Sequence, residues 1–104
     1  MPIDGSAPFC TGARRLLLGD CAATKEGRVA TTQTLSGTGA LYIGFDFLKH
    51  HLPRFIYIPD PTWLNHKNII EDCGLKWIEY PYFNAKTLGS NIPGMIKFLS
   101  NAIL

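Results

Sequence analysis

The chain has 104 residues, of which 46% are hydrophobic and 17% charged, a composition typical of a globular protein with one core. Its net charge is +2 at pH 7, and the basic residues are scattered apart from one Arg14-Arg15 pair, which argues against nucleic acid or a membrane surface as the main partner. Three cysteines without metal-ligand spacing indicate free thiols in a reducing compartment. Residues 1–9 lack the features of a secretory signal, and no apolar run approaches the roughly 20 residues that span a bilayer.

The first predicted elements are a helix and a strand. Apolar residues recur at helical spacing over residues 7–18, and Gly19 follows where a helix is expected to end. The polar stretch 20–27 is predicted to be a loop. The β-branched composition of residues 29–34 then predicts a strand.

The same pattern repeats further along the chain. A second helix is predicted because four apolar residues lie on one helical face: Leu41, Phe45, Leu48 and Leu52. A short apolar run at 55–58 predicts a strand that ends at Pro59 and Pro61. These two elements form the second helix and the second strand of the predicted order.

The last part of the chain is predicted to contain two helices and one strand. Residues 66–73 have helical spacing and end at Gly74, and the alternating stretch 75–80 predicts a strand. A final helix is predicted to begin near Asn91, a suitable N-cap, with Pro93 tolerated in its first turn.

The predicted order is therefore α-β-α-β-α-β-α. Strands separated by helices pair in parallel through right-handed crossovers, so we expect an α/β fold rather than a helical bundle. The chain stops on the apolar residues 102–104 without a polar tail. That ending suggests a truncated element, and hence a fragment of a larger domain.

The segment Ser36-Gly37-Thr38-Gly39-Ala40 lies where the first predicted strand passes into a helix. Two glycines allow close approach of a ligand, and helix-start amides with two hydroxyls could hold a phosphate. It is neither a Walker loop nor a dinucleotide fingerprint, because no Gly-Lys-Ser/Thr follows and Tyr42 replaces the third glycine. The simpler alternative is a tight turn with a Ser or Thr N-cap.

Aromatic residues follow the second predicted strand, at the edge where open α/β sheets bind ligands. Trp63 could stack there on a flat ring, and His66 lies one helical turn further on, so both could face one site. The alternative is that Trp63 packs in the core and His66 only opens the next helix.

Together these two segments resemble the aspartate aminotransferases, which are fold-type I pyridoxal 5′-phosphate enzymes. The resemblance depends on Gln33-Thr34-Leu35-Ser36-Gly37-Thr38-Gly39-Ala40-Leu41 and on Pro61-Thr62-Trp63-Leu64-Asn65-His66. Further stretches match the family in the same order and extend the resemblance over nearly the whole chain: Pro2-Ile3-Asp4-Gly5, residues 14–19, Gly74-Leu75, Tyr80-Pro81-Tyr82-Phe83 and Lys86-Thr87-Leu88-Gly89.

The resemblance implies that residues 1–104 are part of the cofactor-binding large domain, a three-layer α/β/α domain with a parallel sheet. It implies that Ser36, Gly37 and Thr38 bind the phosphate of pyridoxal 5′-phosphate. It also implies that Trp63 stacks on the pyridine ring, and that His66 orients the aspartate that pairs with the pyridine nitrogen.

The family pattern also contains residues that this sequence lacks. Absent are the upstream tyrosine that reaches the neighbouring subunit's phosphate, the nitrogen-binding aspartate, the Schiff-base lysine in its Ser-x-x-Lys-Asn context and the substrate-binding arginines. Lys67-Asn68 matches the lysine only superficially, because His66 precedes it. No catalytic residue and no metal ligand is therefore assigned within this chain.

The function implied by the resemblance is transfer of an amino group from aspartate to 2-oxoglutarate in a homodimer, with these 104 residues inactive alone. Aspartate, glutamate and 2-oxo acids are the implied substrates, and neither nucleic acid nor a membrane is a partner. The location expected is cytoplasmic, with the mitochondrion as the alternative. Two noncatalytic alternatives remain: a module that binds a phosphate ligand, and a fragment that pairs with an intact subunit.

Overall fold

The structure is a computed structural model that describes residues 2–52 and 55–103. It divides into two compact units, Met1–Ala40 and Leu41–Leu104. Each unit is held together differently. The first depends on hydrogen bonds around a turn, and the second has a hydrophobic core.

The first unit contains helix α1, Ala7–Leu18, and the four-residue helix α2, Ala22–Lys25. Pro8 lies in the first turn of α1, where its missing N–H is harmless. Gly19 ends α1 at φ 56°, and its N–H donates to the Arg15 carbonyl. The predicted helix 7–18 is confirmed, whereas the predicted loop 20–27 contains α2.

The strand predicted at residues 29–34 is wrong, because the structure describes all six residues and none of them is in a strand. The segment is attached to an N-terminal turn by isolated bonds instead of a ladder. The Gln33 N–H and the Thr32 hydroxyl both donate to the Asp4 carbonyl, at 2.8 and 3.1 Å. β-branched residues favour an extended backbone, but a strand also needs a partner edge, which composition does not encode.

Helix α3, Ser36–His51, begins in the first unit and continues into the second. It is followed by strand β1, Phe55–Asp60, helix α4, Leu64–Asp72, and strand β2, Lys76–Pro81. The two strands pair in parallel, with Phe55 opposite Lys76 and Asp60 opposite Pro81. The predicted parallel connection through a helix is confirmed here.

The core of the second unit lies between α4 and the parallel strands. Ile58, Ile70 and Leu75 are buried against one another, and Ile70 is fully inaccessible to solvent. Four partly buried side chains pack around them: Phe45, Leu48, Ile56 and Trp77. The apolar periodicity of α3 and α4 is therefore explained by this core.

The remaining elements are a small antiparallel pair and a helix. Strands β3, Phe83–Asn84, and β4, Gly89–Ser90, precede helix α5, Ile92–Leu99. Asn91 caps α5 as predicted, since its side-chain oxygen accepts from the Gly94 N–H at 3.1 Å. No helix within the described part of the chain is long and apolar enough to cross a membrane.

The fold class is α/β, as expected, but the order of elements differs from the prediction. Over residues 2–52 and 55–103 the order is α-α-α-β-α-β-β-β-α, and in that part of the chain the parallel sheet has two strands where three were expected. The difference comes from residues 29–34, which form no strand, and from the two short strands before α5.

Candidate functional site

The backbone has an unusual conformation at the residue where α3 begins. Ser36 has φ +60°, a left-handed conformation that costs a residue with a side chain more than it costs glycine. The Thr34 hydroxyl donates a hydrogen bond to the Ser36 carbonyl at 3.1 Å, and this bond stabilises the turn. Such conformations persist where the surrounding bonds enforce them, and they recur at ligand sites.

This turn presents donors and no competing negative charge. The first amides of an α-helix have no partner within the helix, and Ser36, Gly37 and Thr38 are all exposed. A Cβ built on Gly37 would have no neighbour within 4 Å, so there is open space beside the backbone. None of the described residues of that first turn is acidic. This donor set suits an oxyanion such as a phosphate.

The C-terminal end of α3 carries basic side chains. Lys49, His50 and His51 occupy its last turn, where cations interact favourably with the helix dipole. The charge pattern of the whole helix thus leaves its N-terminal end free for an anion.

The second predicted group lies at the start of α4, directly after β1. Trp63 is the N-cap residue and is 51% exposed, so the alternative in which this side chain packs in the core is wrong. Its ring meets His66 edge to face, with centroids 5.3 Å apart and planes at 90°. A half-exposed indole of this kind has surface available for a planar ligand.

His66 is held from two sides. Its backbone N–H donates to the Trp63 carbonyl at 2.9 Å, and its Nδ1 lies 2.9 Å from the Thr62 hydroxyl. That second bond fixes the ring orientation and leaves Nε2 for another partner. Thr62 was not among the predicted site residues, although a hydroxyl four residues before a histidine is placed to make this contact.

Lys67 follows His66 but is engaged elsewhere. Its Nζ pairs with Glu79 Oε1 at 2.5 Å and lies 4.5 Å from the Trp77 ring centroid. The Trp77 indole N–H in turn donates to Glu71 Oε1 at 2.9 Å. A lysine held in an ion pair and over an aromatic ring is a poor nucleophile, which supports the view that Lys67-Asn68 matches the family lysine only superficially.

The structure thus groups the predicted residues in two sets. Ser36, Gly37 and Thr38 share one helical turn, and Trp63 and His66 share another with their rings in contact.

Two cavities in the second unit are lined by none of these predicted residues. One, of about 700 Å³, lies beside Tyr42, whose hydroxyl donates to Asp72 at 2.7 Å, a bond that raises the pKa of Tyr42. The other, of about 550 Å³, is lined by the β1–β2 sheet and α5.

These features agree with a known family of enzymes. The chain belongs to the aminotransferase class I and II family, whose family model matches residues 1–103. Members of this family use pyridoxal phosphate, and the phosphate-type donor set at α3 and the open indole at α4 fit such a cofactor.

Individual relatives make the likeness more specific. The chain is 45% identical over 98 residues to a cytoplasmic aspartate aminotransferase of Dictyostelium discoideum, covering 92% of this chain and 22% of the relative. It is 43% identical over 104 residues to the mitochondrial aspartate aminotransferase P2 of Lupinus angustifolius, covering 98% and 23%. Relatives from both compartments considered above therefore exist.

Solved structures give the same result. The cytoplasmic aspartate aminotransferase of Saccharomyces cerevisiae matches with a TM-score of 0.89 and 34% identity, covering 99% of this chain and 26% of that one. An aromatic-amino-acid aminotransferase of Burkholderia pseudomallei, described as covalently bound to pyridoxal phosphate, matches at 0.87 and 44% identity, covering 97% and 26%. The chain spans about a quarter of the length of the proteins that it matches.

Proposed function

We propose that residues 1–104 are part of the cofactor-binding large domain of a pyridoxal phosphate-dependent aspartate aminotransferase. The complete enzyme would move the amino group of aspartate to 2-oxoglutarate and act as a homodimer. The observation that carries the proposal is the first turn of α3, where exposed donors and a left-handed serine occur within the family's motif.

In this proposal the turn binds the cofactor phosphate. The phosphate is dianionic, and the amides of Gly37 and Thr38 carry the positive end of the α3 dipole. The hydroxyls of Ser36 and Thr38 would each add a charge-assisted hydrogen bond. Gly37 has open space beside its Cα, so phosphate oxygens can approach its backbone.

Trp63 and His66 would act on the ring. The half-exposed indole would stack on the pyridine plane, and His66, oriented by Thr62, would bind the carboxylate that pairs with the ring nitrogen. When bound, the cofactor supplies an electron sink for removal of the substrate's α-proton. The role of these residues is to fix where that sink lies.

These 104 residues alone would not transaminate. Lys67, the one lysine followed by asparagine, is paired with Glu79 and covered by Trp77. We expect the purified chain, with cofactor, aspartate and 2-oxoglutarate, to form no oxaloacetate above a protein-free control. A rate proportional to chain concentration would contradict the proposal.

The phosphate contact is tested in a full-length aspartate aminotransferase that carries this segment. Thr38→Val keeps the side-chain shape and removes one donor. Because a hydrogen bond to a charged group is worth roughly 1.5–3 kcal/mol, the cofactor dissociation constant should rise on the order of tenfold to a hundredfold. Thr11→Val, at an exposed position of α1, is the matched control and should leave it unchanged.

The ring contact is tested in the same protein. Trp63→Ala should lower turnover and shift the visible absorbance of the bound cofactor, while weakening cofactor retention less than Thr38→Val does. If Thr38→Val retains cofactor as tightly as the wild type, and Trp63→Ala leaves spectrum and rate unchanged, the site assignment is wrong. Equal affinity for pyridoxal phosphate and inorganic phosphate would instead favour a simple phosphate-binding module.

A further inference from the structure

Gln33 has an unusual set of contacts three residues before Ser36. Its side-chain Oε1 accepts from the Ser6 N–H at 2.9 Å in a partly buried bond, and its own N–H donates to the Asp4 carbonyl at 2.8 Å. Both bonds join positions 27 or more residues apart in sequence. One residue therefore attaches the segment before α3 to the turn that precedes α1.

The turn on the other side of this contact is shaped to receive Gln33. Gly5 is buried, has φ +108° and donates its N–H to the Pro2 carbonyl at 3.1 Å. A Cβ at Gly5 would lie 2.3 Å from Gln33 Cβ and 2.9 Å from its Oε1. Only glycine satisfies both the conformation and the space, so the two residues form one fitted contact.

The contact leads directly to the phosphate turn. Thr34 and Leu35 lie between Gln33 and Ser36. The Thr34 hydroxyl donates to the Ser36 carbonyl, whereas Leu35 is 92% exposed. Leu35 thus provides almost no packing that could hold this stretch. The left-handed Ser36 needs surrounding bonds to enforce it, and within this stretch those bonds come from Gln33 and Thr34.

We propose that Gln33 is a positioning residue for the phosphate turn and that Gly5 is its required counterpart. Gln33 touches no cofactor atom in this proposal. It fixes the backbone that enters α3, so that the amides of Gly37 and Thr38 are aimed before the phosphate arrives. The inference depends on the proposed function, since it assigns the turn to a phosphate.

The experiment compares pyridoxal phosphate with pyridoxal, which lacks the phosphate, in the full-length enzyme that carries this segment. Gln33→Leu removes the acceptor for Ser6, and Gly5→Ala pushes the same contact apart from the other side. The control is Gly12→Ala in α1, where an added Cβ meets nothing within 4 Å. Dissociation constants come from absorbance titration, and the ³¹P resonance of the bound cofactor reports on the phosphate environment without any need for turnover.

We expect the wild type and Gly12→Ala to prefer pyridoxal phosphate strongly. Gln33→Leu and Gly5→Ala should reduce that preference on the order of tenfold, as expected for loss of about one charge-assisted bond, and should move the ³¹P resonance towards that of free cofactor. Pyridoxal affinity should stay within about twofold, because the ring contact does not depend on Gln33.

Three results would overturn the inference, and they are distinguishable. If the wild type itself binds both compounds equally, the phosphate assignment fails and the inference fails with it. If the wild type is selective and both variants remain equally selective with an unchanged ³¹P resonance, only the role of Gln33 is wrong. If the variants weaken both compounds to the same degree, Gln33 supports the fold and does not position the turn.

Discussion

The two units are stabilised by different interactions. Residues 41–103 enclose the apolar cluster Ile58, Ile70 and Leu75 and pair two strands in parallel. Within the described residues 2–40 only Gly5 is buried, and the backbone is held by hydrogen bonds around Asp4 and Gln33. Hydrophobic burial is non-directional, whereas hydrogen bonds are strongly oriented.

This difference suits the two contacts that a phosphorylated aromatic cofactor needs. A phosphate requires donors at particular positions, and the turn before α3 is shaped by oriented bonds. A stacked ring requires a stable surface, and Trp63 stands at the start of α4, whose Ile69 and Ile70 are buried. In the proposed site, each of the two contacts would thus be supported by the kind of interaction that suits it.

The largest effect is expected in the hydrophobic unit. Ile70→Ala should lower the free energy of unfolding by about 2–5 kcal/mol, because the side chain is fully buried and leaves a cavity. Urea titration followed by tryptophan fluorescence measures this directly, since Trp63 and Trp77 both lie in residues 41–103. Ile96→Ala, at a 57% exposed position of α5, should stay within about 0.5 kcal/mol. Equal losses in both variants would mean that the core is elsewhere.

The next largest change in stability is expected in the first unit, which is held by hydrogen bonds. Gly5→Ala should cost about 1–3 kcal/mol, because φ +108° is strained for alanine and its methyl group meets Gln33. Gly12→Ala should instead stabilise the protein by about 0.5–1 kcal/mol, since it replaces a helix-interior glycine with free space beside it. Thermal unfolding by circular dichroism compares the two. The comparison of the two units breaks down if Gly5→Ala unfolds no earlier than Gly12→Ala.

A smaller effect is expected at the cap of α5. Asn91→Ala removes the acceptor for the Gly94 N–H and should cost about 1 kcal/mol. Asn65→Ala, at an exposed position in the first turn of α4, is the control and should change stability by less than about 0.5 kcal/mol. Amide exchange of Ile92, Gly94 and Met95 should rise only in the first variant. Unchanged exchange would show that the cap is dispensable.

The smallest effect concerns thiol reactivity, which also differs between the units. A hydrogen bond with Thr24 lowers the pKa of the exposed Cys21 thiol, while burial, followed by the nearby Asp46 and Asp72, raises the pKa of Cys73. A lower pKa means more thiolate at a given pH, so Cys21 should be alkylated several-fold faster near pH 8.

Mass spectrometry of iodoacetamide labelling across pH 7–10 tests this ordering. Thr24→Val should raise the pKa of Cys21 and shift its labelling profile to higher pH, with no change at Cys73. The explanation would be wrong if Cys73 reacted first, or if the profile of Cys21 were insensitive to the loss of the Thr24 hydroxyl.

Much of the second unit could be predicted from the sequence because apolar spacing reports burial directly. The periodicities of α3 and α4, the apolar run of β1 and the alternating pattern of β2 led to the correct elements and pairing. The N-cap of α5 was also predictable, since asparagine before a helix has a specific chemical role. In these places the local pattern and the tertiary contact agree.

The first unit was less predictable because its contacts are between distant polar residues. Residues 29–34 have the composition of a strand, yet their partners are the carbonyl and amide groups of Asp4 and Ser6. The motif predicted a phosphate turn at residues 36–38, but it did not reveal the left-handed Ser36 or the hydrogen bonds of Gln33 with Asp4 and Ser6. Backbone dihedrals and long-range hydrogen bonds leave little trace in residue spacing.

The engagement of Lys67 has a consequence for chemical labelling of the native protein. Pyridoxal phosphate and similar aldehydes condense with any accessible amine, so adducts at surface lysines would complicate a spectrum meant to report one site. Lys67, although next to His66, is protected by its ion pair with Glu79 and by the indole of Trp77. Reductive methylation followed by peptide mapping should therefore modify Lys67 late, and a yellow colour produced by the wild-type segment should not be assigned to this residue.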